Sequence, residues 1–136
     1  MLLTLSIAVL VSAAPQGKLL AVSALEAEGT TPVHLATARD AVLLELKAQG
    51  YDARAEELGG TQSAVGTVKG AVVLIDGTFE VVLRLKENAT RMIIATSRVR
   101  CGSAARLVEA AREAAAQLAK EGRQQWGMRT RFKPAQ

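Results

Sequence analysis

The chain has 136 residues, of which 49 % are apolar and 3 % aromatic, and its formal net charge is +4. This length suits one domain, and the apolar content excludes a disordered chain. The charge is uneven, because residues 1–122 carry 13 basic and 13 acidic side chains while the last fourteen add four basic ones and no acid. The basic character therefore belongs to the carboxyl-terminal segment.

Residues suited to chemistry are scarce. Cysteine and histidine occur once each, as Cys101 and His34. One cysteine excludes an intramolecular disulfide. One cysteine and one histidine are too few ligands for a Cys₂His₂ or histidine-rich metal site. The glycine patterns of nucleotide-binding loops are missing, and Glu56 and Glu57 are adjacent rather than convergent. We therefore expect no catalytic residue, no metal and no cofactor, with His34 solvated at the start of a helix.

The chain opens with MLLTLSIAVLVSAAPQ, which is apolar from Leu2 to Val11. That run is shorter than the roughly 20 residues needed to cross a bilayer. Cleavage after Ala13 would place Val11 and Ala13 at the −3 and −1 positions, as in a secretory signal. No Lys or Arg precedes the run, so the alternatives are a buried first strand or a start codon assigned too early or too late. We expect residues 1–13 to be a signal peptide, and the mature protein to be periplasmic or secreted without a membrane span.

The first half of the remaining chain reads as strand, helix, strand. Leu19 to Leu25 is a continuous apolar run, typical of a strand covered on both faces. A helix follows, with Thr31 as its N-cap, Pro32 at its first position and Gly50 just beyond its end. Residues 51–55 are a short strand, and residues 56–63 a loop. The inner stripe of the helix is Leu35, Ala38, Val42 and Leu46.

Residues 64–101 predict an antiparallel meander. A strand over residues 64–75 leads to Asp76-Gly77, a hairpin signal. The next strand alternates, and Asn88-Ala89-Thr90 turns the chain into the last one. One side of the second strand is apolar (Phe79, Val81, Leu83, Leu85) and the other is charged (Glu80, Arg84, Lys86). In the last strand we expect Ile93, Ala95, Val99 and Cys101 to share a face, with Arg98 and Arg100 opposite and Cys101 buried.

An alanine-rich helix ends the domain. Ser103 is its expected cap, and Gly122 its expected end. The inner stripe is Leu107, Ala111, Ala114, Ala115 and Leu118. The order β-α-β-β-β-β-α predicts an α/β (α+β) fold, a mixed sheet of about five strands with two helices on one side. Residues 14–122 would form this single domain, and residues 123–136 a basic tail.

The pattern resembles a known family. The stretches are KLLAVSALEAEG, LLELKAQGYDA at 43–53, GTV at 66–68, DGTF at 76–79, FEVVLRL at 79–85, and an alanine-rich last helix. Together they resemble the TolB amino-terminal-like domains, which are related to the curli secretion lipoprotein CsgG and to lipoprotein activators of penicillin-binding proteins. The resemblance covers residues 18–121. Two departures are KENAT, where many relatives have D-x-x-T-G, and the lack of a lipid-accepting cysteine. The resemblance implies a bacterial, non-enzymatic envelope module acting through protein contacts.

Two groups of residues are candidates for those contacts. Arg84, Lys86, Arg98 and Arg100 lie on the polar side of the meander, which is either a basic docking surface or simply a solvated face. The tail interleaves Arg129 and Arg131 with Trp126. It is either a contact segment or a solubilising end, or it folds back with Trp126 on the sheet.

The favoured hypothesis is a periplasmic interaction module that assists or regulates an envelope complex of unidentified proteins. The alternative is a cytoplasmic basic protein that binds nucleic acid through residues 123–136, with an affinity that falls steeply with salt. Secretion would disfavour this alternative, so we expect no nucleic-acid partner.

Overall fold

In a computed structural model of the chain, the structure describes residues 18–29 and 32–132, with side chains as far as residue 127. The predicted leader, residues 1–13, and the predicted cap Thr31 lie outside these residues. The strands are β1 Leu19–Val22, β2 Glu26–Glu28, β3 Asp52–Ala55, β4 Gly66–Ile75, β5 Thr78–Glu87 and β6 Ile93–Cys101. The helices are α1 Pro32–Ala48 and α2 Leu107–Phe132, with short 3₁₀ turns at Glu56–Leu58 and Ala104–Arg106.

The strands form one mixed sheet in the order β3-β1-β4-β5-β6, with β2 also paired to β4. β1 is parallel to both β3 and β4, while β4, β5 and β6 form an antiparallel meander. The two helices pack on each other and on one side of the sheet. The predicted fold class is confirmed. Within the described residues, no helix is long and apolar enough to span a membrane.

The first strand differs from its prediction as one run from Leu19 to Leu25. Val22 pairs with Val68 and Glu26 pairs with Ala71, so three residues of this segment stand against two of β4. The extra residue interrupts the ladder and divides the run into β1 and β2. Glu26 consequently lies on the same side of the sheet as Ala71.

The core lies between the helices and the sheet. The apolar side of β5 is buried as predicted, from Phe79 to Leu85. The predicted inner stripe of α2 is fully buried, and the alanines let that helix approach β5 and β6 closely. The stripe of α1 is likewise confirmed, with Leu35 packed against the core at its margin.

The turns follow local backbone chemistry. Helix α1 begins at Pro32, and Gly50 (φ 98°) follows its end, while the Tyr51 amide donates to the Leu46 carbonyl oxygen over 3.0 Å. Asp76 (φ 52°) and Gly77 (φ 79°) form the predicted two-residue turn, because both take the left-handed conformation that a type I′ hairpin requires.

The prediction for the face of Ile93 is wrong. The register shifts between Leu85 and Lys86, where Ala95 pairs with Leu85 but Ile93 pairs with Lys86. Ile94 is the extra residue of this bulge and is buried, whereas Ile93 is 56 % exposed beside Lys86. Cys101 was predicted to be buried but is half-buried, and its thiol donates to the Ser103 carbonyl oxygen.

The predicted boundaries of the last helix are wrong at both ends. Ser103 makes no side-chain cap, and a 3₁₀ turn precedes α2. Gly122 does not end the helix, which continues to Phe132. A Cβ at Gly122 would lie 2.8 Å from Leu85 Cδ2 and 3.2 Å from the Tyr51 hydroxyl. Glycine is therefore present for close packing, and ten residues of the predicted tail extend the helix.

Candidate protein-contact surface

The side of the sheet that faces away from the helices is called here the outer face. Because side chains alternate along a strand, β4 contributes its odd-numbered residues to this face and β5 its even-numbered ones. β6 contributes Thr96, Arg98 and Arg100. The structure thus places four of the seven predicted contact residues together on one surface, as the alternation predicted: Arg84, Lys86, Arg98 and Arg100.

The cations of β6 are already paired. Arg98 Nη1 and Arg100 Nε lie 3.5 and 3.2 Å from the two carboxylate oxygens of Glu80 on β5. Two guanidinium groups share one carboxylate, and both remain more than half exposed. This group therefore keeps a net positive charge and can accept a further anion.

The cations of β4 and β5 differ, and the set Lys69, Arg84 and Lys86 is called here the basic row. Lys69 stands directly opposite Arg84 in the ladder, and Lys86 follows two residues along β5 on the same face. None of their three side chains makes a hydrogen bond or ion pair with any residue that the structure describes. Like charges directly opposite each other destabilise a sheet, so an anionic partner would relieve this arrangement.

A shallow groove of about 530 Å³ runs beside the basic row. Its far wall carries Glu26 of β2 and Glu56, which accepts a hydrogen bond from the Ser23 hydroxyl over 2.9 Å. Exposed Ile93 lies at the basic end. The outer face is therefore positive along β4 and β5 and negative toward β2 and Glu56.

Trp126 lies away from the outer face, at one end of the sheet. Its indole N–H donates to Glu87 Oε2 over 2.9 Å, and Lys18 Nζ is 5.1 Å from the ring centroid. Tyr51 packs at a tilt against the same ring. Trp126 thus joins α2 to the sheet, the alternative in which this segment folds back. The side chains of Arg129 and Arg131 lie outside the described residues.

The groups considered for catalysis do not converge. Glu57 pairs with Arg39, whose hydrogen bond lowers the pKa of that carboxyl, while Glu56 turns toward Ser23. His34 is half-buried with its ring edge-on to Phe79 at 5.7 Å, which differs from the solvated position predicted. Over residues 18–29 and 32–132, no three His, Cys, Asp or Glu side chains are grouped to hold a metal. Glu56, Glu57 and His34 therefore do not form a reacting pair with one another in the described residues.

Sequence reasoning missed Lys69, although the signal was available. The two-residue turn at Asp76-Gly77 pairs Ile75 with Thr78, and counting back along both strands sets Lys69 opposite Arg84. It also missed Glu26, which could not be placed because the interruption between β1 and β2 has no turn residue to mark it.

Comparison with known proteins shows what this fold is similar to. No family model matches the chain, and no curated protein matches it. Among solved structures, the PelC dodecamer from Paraburkholderia phytofirmans is similar in two crystal forms. In one, a variant, TM-score is 0.61 at 18 % identity over 76 % of this chain and 90 % of PelC. In the other, TM-score is 0.57 at 22 % identity over 77 % and 88 %.

Protein XCC0632 from Xanthomonas campestris, of the family DUF330, matches with TM-score 0.60 at 10 % identity over 85 % of this chain and 89 % of its own. The LpoB C-terminal domain from Escherichia coli aligns with TM-score 0.43 at 12 % identity over 62 % and 82 %, too weak to support an argument. The chain therefore shares the α+β fold of PelC and XCC0632. The finer resemblance to TolB amino-terminal-like domains stays a prediction.

Proposed function

We propose that this chain is a non-enzymatic protein-contact module of the bacterial cell envelope, acting from the periplasmic side. It joins an assembly of other proteins through its outer face. The proposal rests on the basic row of Lys69, Arg84 and Lys86. Three adjacent cations without a described partner lower the stability of the sheet by repulsion, and a bound anionic partner would offset that loss.

The likeness in fold supports the same proposal. PelC, which shares this fold, is a dodecamer. An outer face that is positive at β4 and β5 and negative toward β2 gives complementary patches for a neighbour, whether another protein or a further copy. Charges arranged in this way favour one orientation of the partner over others.

The nucleic-acid alternative gains no support from the carboxyl-terminal segment. Arg123 donates to the Gln49 carbonyl oxygen over 3.3 Å, and Trp126 packs on Tyr51. The base-stacking ring and the first cation of the predicted tail are thus engaged within the domain, where a free binding tail would leave them available.

Site-specific photo-crosslinking in a bacterium that expresses the chain tests the proposal. A photoreactive residue replaces Arg84 on the outer face, and in a matched control it replaces Lys120, an exposed cation of α2. We expect discrete protein adducts from position 84 in the periplasmic or envelope fraction, and little from position 120. Equal adducts from both positions, or none from position 84, would contradict the proposed contact surface.

A further inference from the structure

Among the residues that the structure describes, strand β6 is an edge of the sheet, because no strand follows it in the order β3-β1-β4-β5-β6. Its nine residues face β5 on one side only. One of its amides shows which residues point away from β5: the Thr96 N–H donates to Glu121 Oε1 of α2 over 3.2 Å. The Thr96 backbone therefore faces the open edge.

The same orientation follows for two arginines. In an antiparallel ladder, residues alternate between those bonded to the neighbouring strand and those pointing away from it. From Thr96 to Cys101 the register with β5 is regular. Arg98 and Arg100 therefore present their N–H and C=O groups to the open edge, and neither makes another backbone hydrogen bond to a residue that the structure describes.

We propose that β6 accepts an extended acidic segment of another protein as the next strand of the sheet. This inference rests on the proposed function and names the chemistry of one partner. The backbone of the incoming segment would bond to the free groups of Arg98 and Arg100. Its Asp or Glu side chains would lie on the outer face opposite the same two arginines.

Charge decides for an acidic partner over a second copy of this chain. If two copies of the chain paired their β6 strands around a two-fold axis over residues 97–101, Arg98 would stand opposite either Arg98 or Arg100 of the second copy. Like charges in those positions disfavour the pairing. The chain also has no acidic segment to spare outside the described residues, since residues 1–17, 30–31 and 133–136 contain no Asp or Glu.

Glu121 limits the length of the site. Its carboxylate accepts the hydrogen bond of the Thr96 N–H, so that amide is not available to another strand. An incoming strand can therefore pair with β6 from about Ser97 to Cys101. Glu121→Ala frees that amide and removes a negative charge near the acidic segment. We expect this variant to bind the segment roughly threefold more tightly, the equivalent of one additional hydrogen bond.

A synthetic ten-residue peptide of alternating Thr and Glu is the probe. In antiparallel addition, the residue directly opposite Arg98 exchanges both backbone bonds with it and shares its face. The acidic residues are therefore the ones whose N–H groups point at β6. Peptides N-methylated at every Glu, or at every Thr, separate strand addition from simple attraction of charge.

Binding is followed by the chemical shifts and hydrogen exchange of the Arg98 and Arg100 amides in the full chain. We expect the unmodified and Thr-methylated peptides to bind and to slow both amides. The Glu-methylated peptide should bind at least roughly tenfold more weakly, because it loses the bonds to β6. A peptide with Lys in place of Glu should not bind.

Other outcomes overturn the inference. These are equal binding of the two methylated peptides, no binding of the unmodified one, or slowing of both amides by rising protein concentration alone, which would make a second copy the occupant. Photo-crosslinking from position 84 in the double variant Arg98→Glu, Arg100→Glu keeps the two proposals apart. If adducts persist in this double variant while the unmodified chain does not bind the peptide, the result would support the outer face as the contact surface and exclude strand addition at β6.

Discussion

Gly70 lies in β4 where the neighbouring strand leaves no room for a side chain. A Cβ at this position would overlap the Val82 carbonyl oxygen and lie 2.6 Å from Leu83 Cδ2. The strand therefore needs glycine for the close approach of β5 and not for an unusual backbone angle.

Replacing Gly70 with Ala should lower the free energy of unfolding by about 1–3 kcal/mol, because packed strands must separate to admit the methyl group. Gly102→Ala is the matched control, since no atom of the described residues lies within 4 Å of a Cβ there, and it should change stability by less than about 0.5 kcal/mol. Urea unfolding of both variants measures the difference. Equal effects at the two positions would refute the packing argument.

Tyr51, the residue before β3, contacts α2. Its hydroxyl donates to the Ala119 carbonyl oxygen over 3.2 Å in a buried position. Burial raises the pKa of this phenol above its ordinary value of 10.0, and nearby Arg123 opposes the rise only in part. The neutral form is therefore the one that the folded chain favours.

A pH dependence follows from the raised pKa of Tyr51. Above pH 10 the unfolded chain loses the phenol proton while the folded chain still holds it, so stability falls as pH rises through the folded pKa. Tyr51 is the only tyrosine, and Tyr51→Phe should unfold with a shallower loss of stability above pH 10. The variant should also lose about 1 kcal/mol at pH 7, with its hydrogen bond. Identical slopes in alkaline urea unfolding would contradict the assignment.

At the scale of elements, the sequence was informative wherever a local rule operates. Asp76-Gly77 determines a turn, and through it the pairing of β4 with β5. Alternation determines the two faces of β5. The bulge at Ile94 and the helix through Gly122 were not predictable in this way. Both depend on what a distant element presents, namely β5 beside Ile94, and Leu85 with Tyr51 beside Gly122.

The last turns of α2 contribute to stability through Trp126. The ring is half-buried, and its N–H bonds to Glu87 of β5. Trp126→Ala should therefore cost about 1–3 kcal/mol of unfolding free energy, the range for losing a packed side chain and its hydrogen bond. Gln124→Ala, an exposed change in the same helix, should stay within about 0.5 kcal/mol. If the two variants had the same free energy of unfolding by heat or urea, the last turns of α2 would contribute nothing to stability, as expected of a tail.

At the scale of the whole molecule, stability and the proposed contact place opposite demands on the outer face. Lys69 and Arg84 repel each other across the ladder. Arg84→Glu should raise the free energy of unfolding by about 0.5 kcal/mol, because it turns a like-charge pair into an opposite-charge pair. Lys120→Glu on α2 serves as the control for charge alone. A loss of stability in Arg84→Glu would mean that the arginine has a structural role. It would contradict the inference that the basic row serves a partner at the expense of stability.

The central claim is that the outer face holds its partner through the basic row. The most direct measurement is the yield of cross-linked adduct from a photoreactive residue at position 84, at matched expression. It is compared between two double variants that change the net charge equally. The first combines Lys69→Glu with Lys86→Glu, and the second combines Arg106→Glu with Lys120→Glu. We expect the first pair to reduce the adduct at least roughly tenfold, since like charges in a contact cost several kcal/mol, and the second to leave it unchanged. Equal yields from the two double variants would contradict the claim.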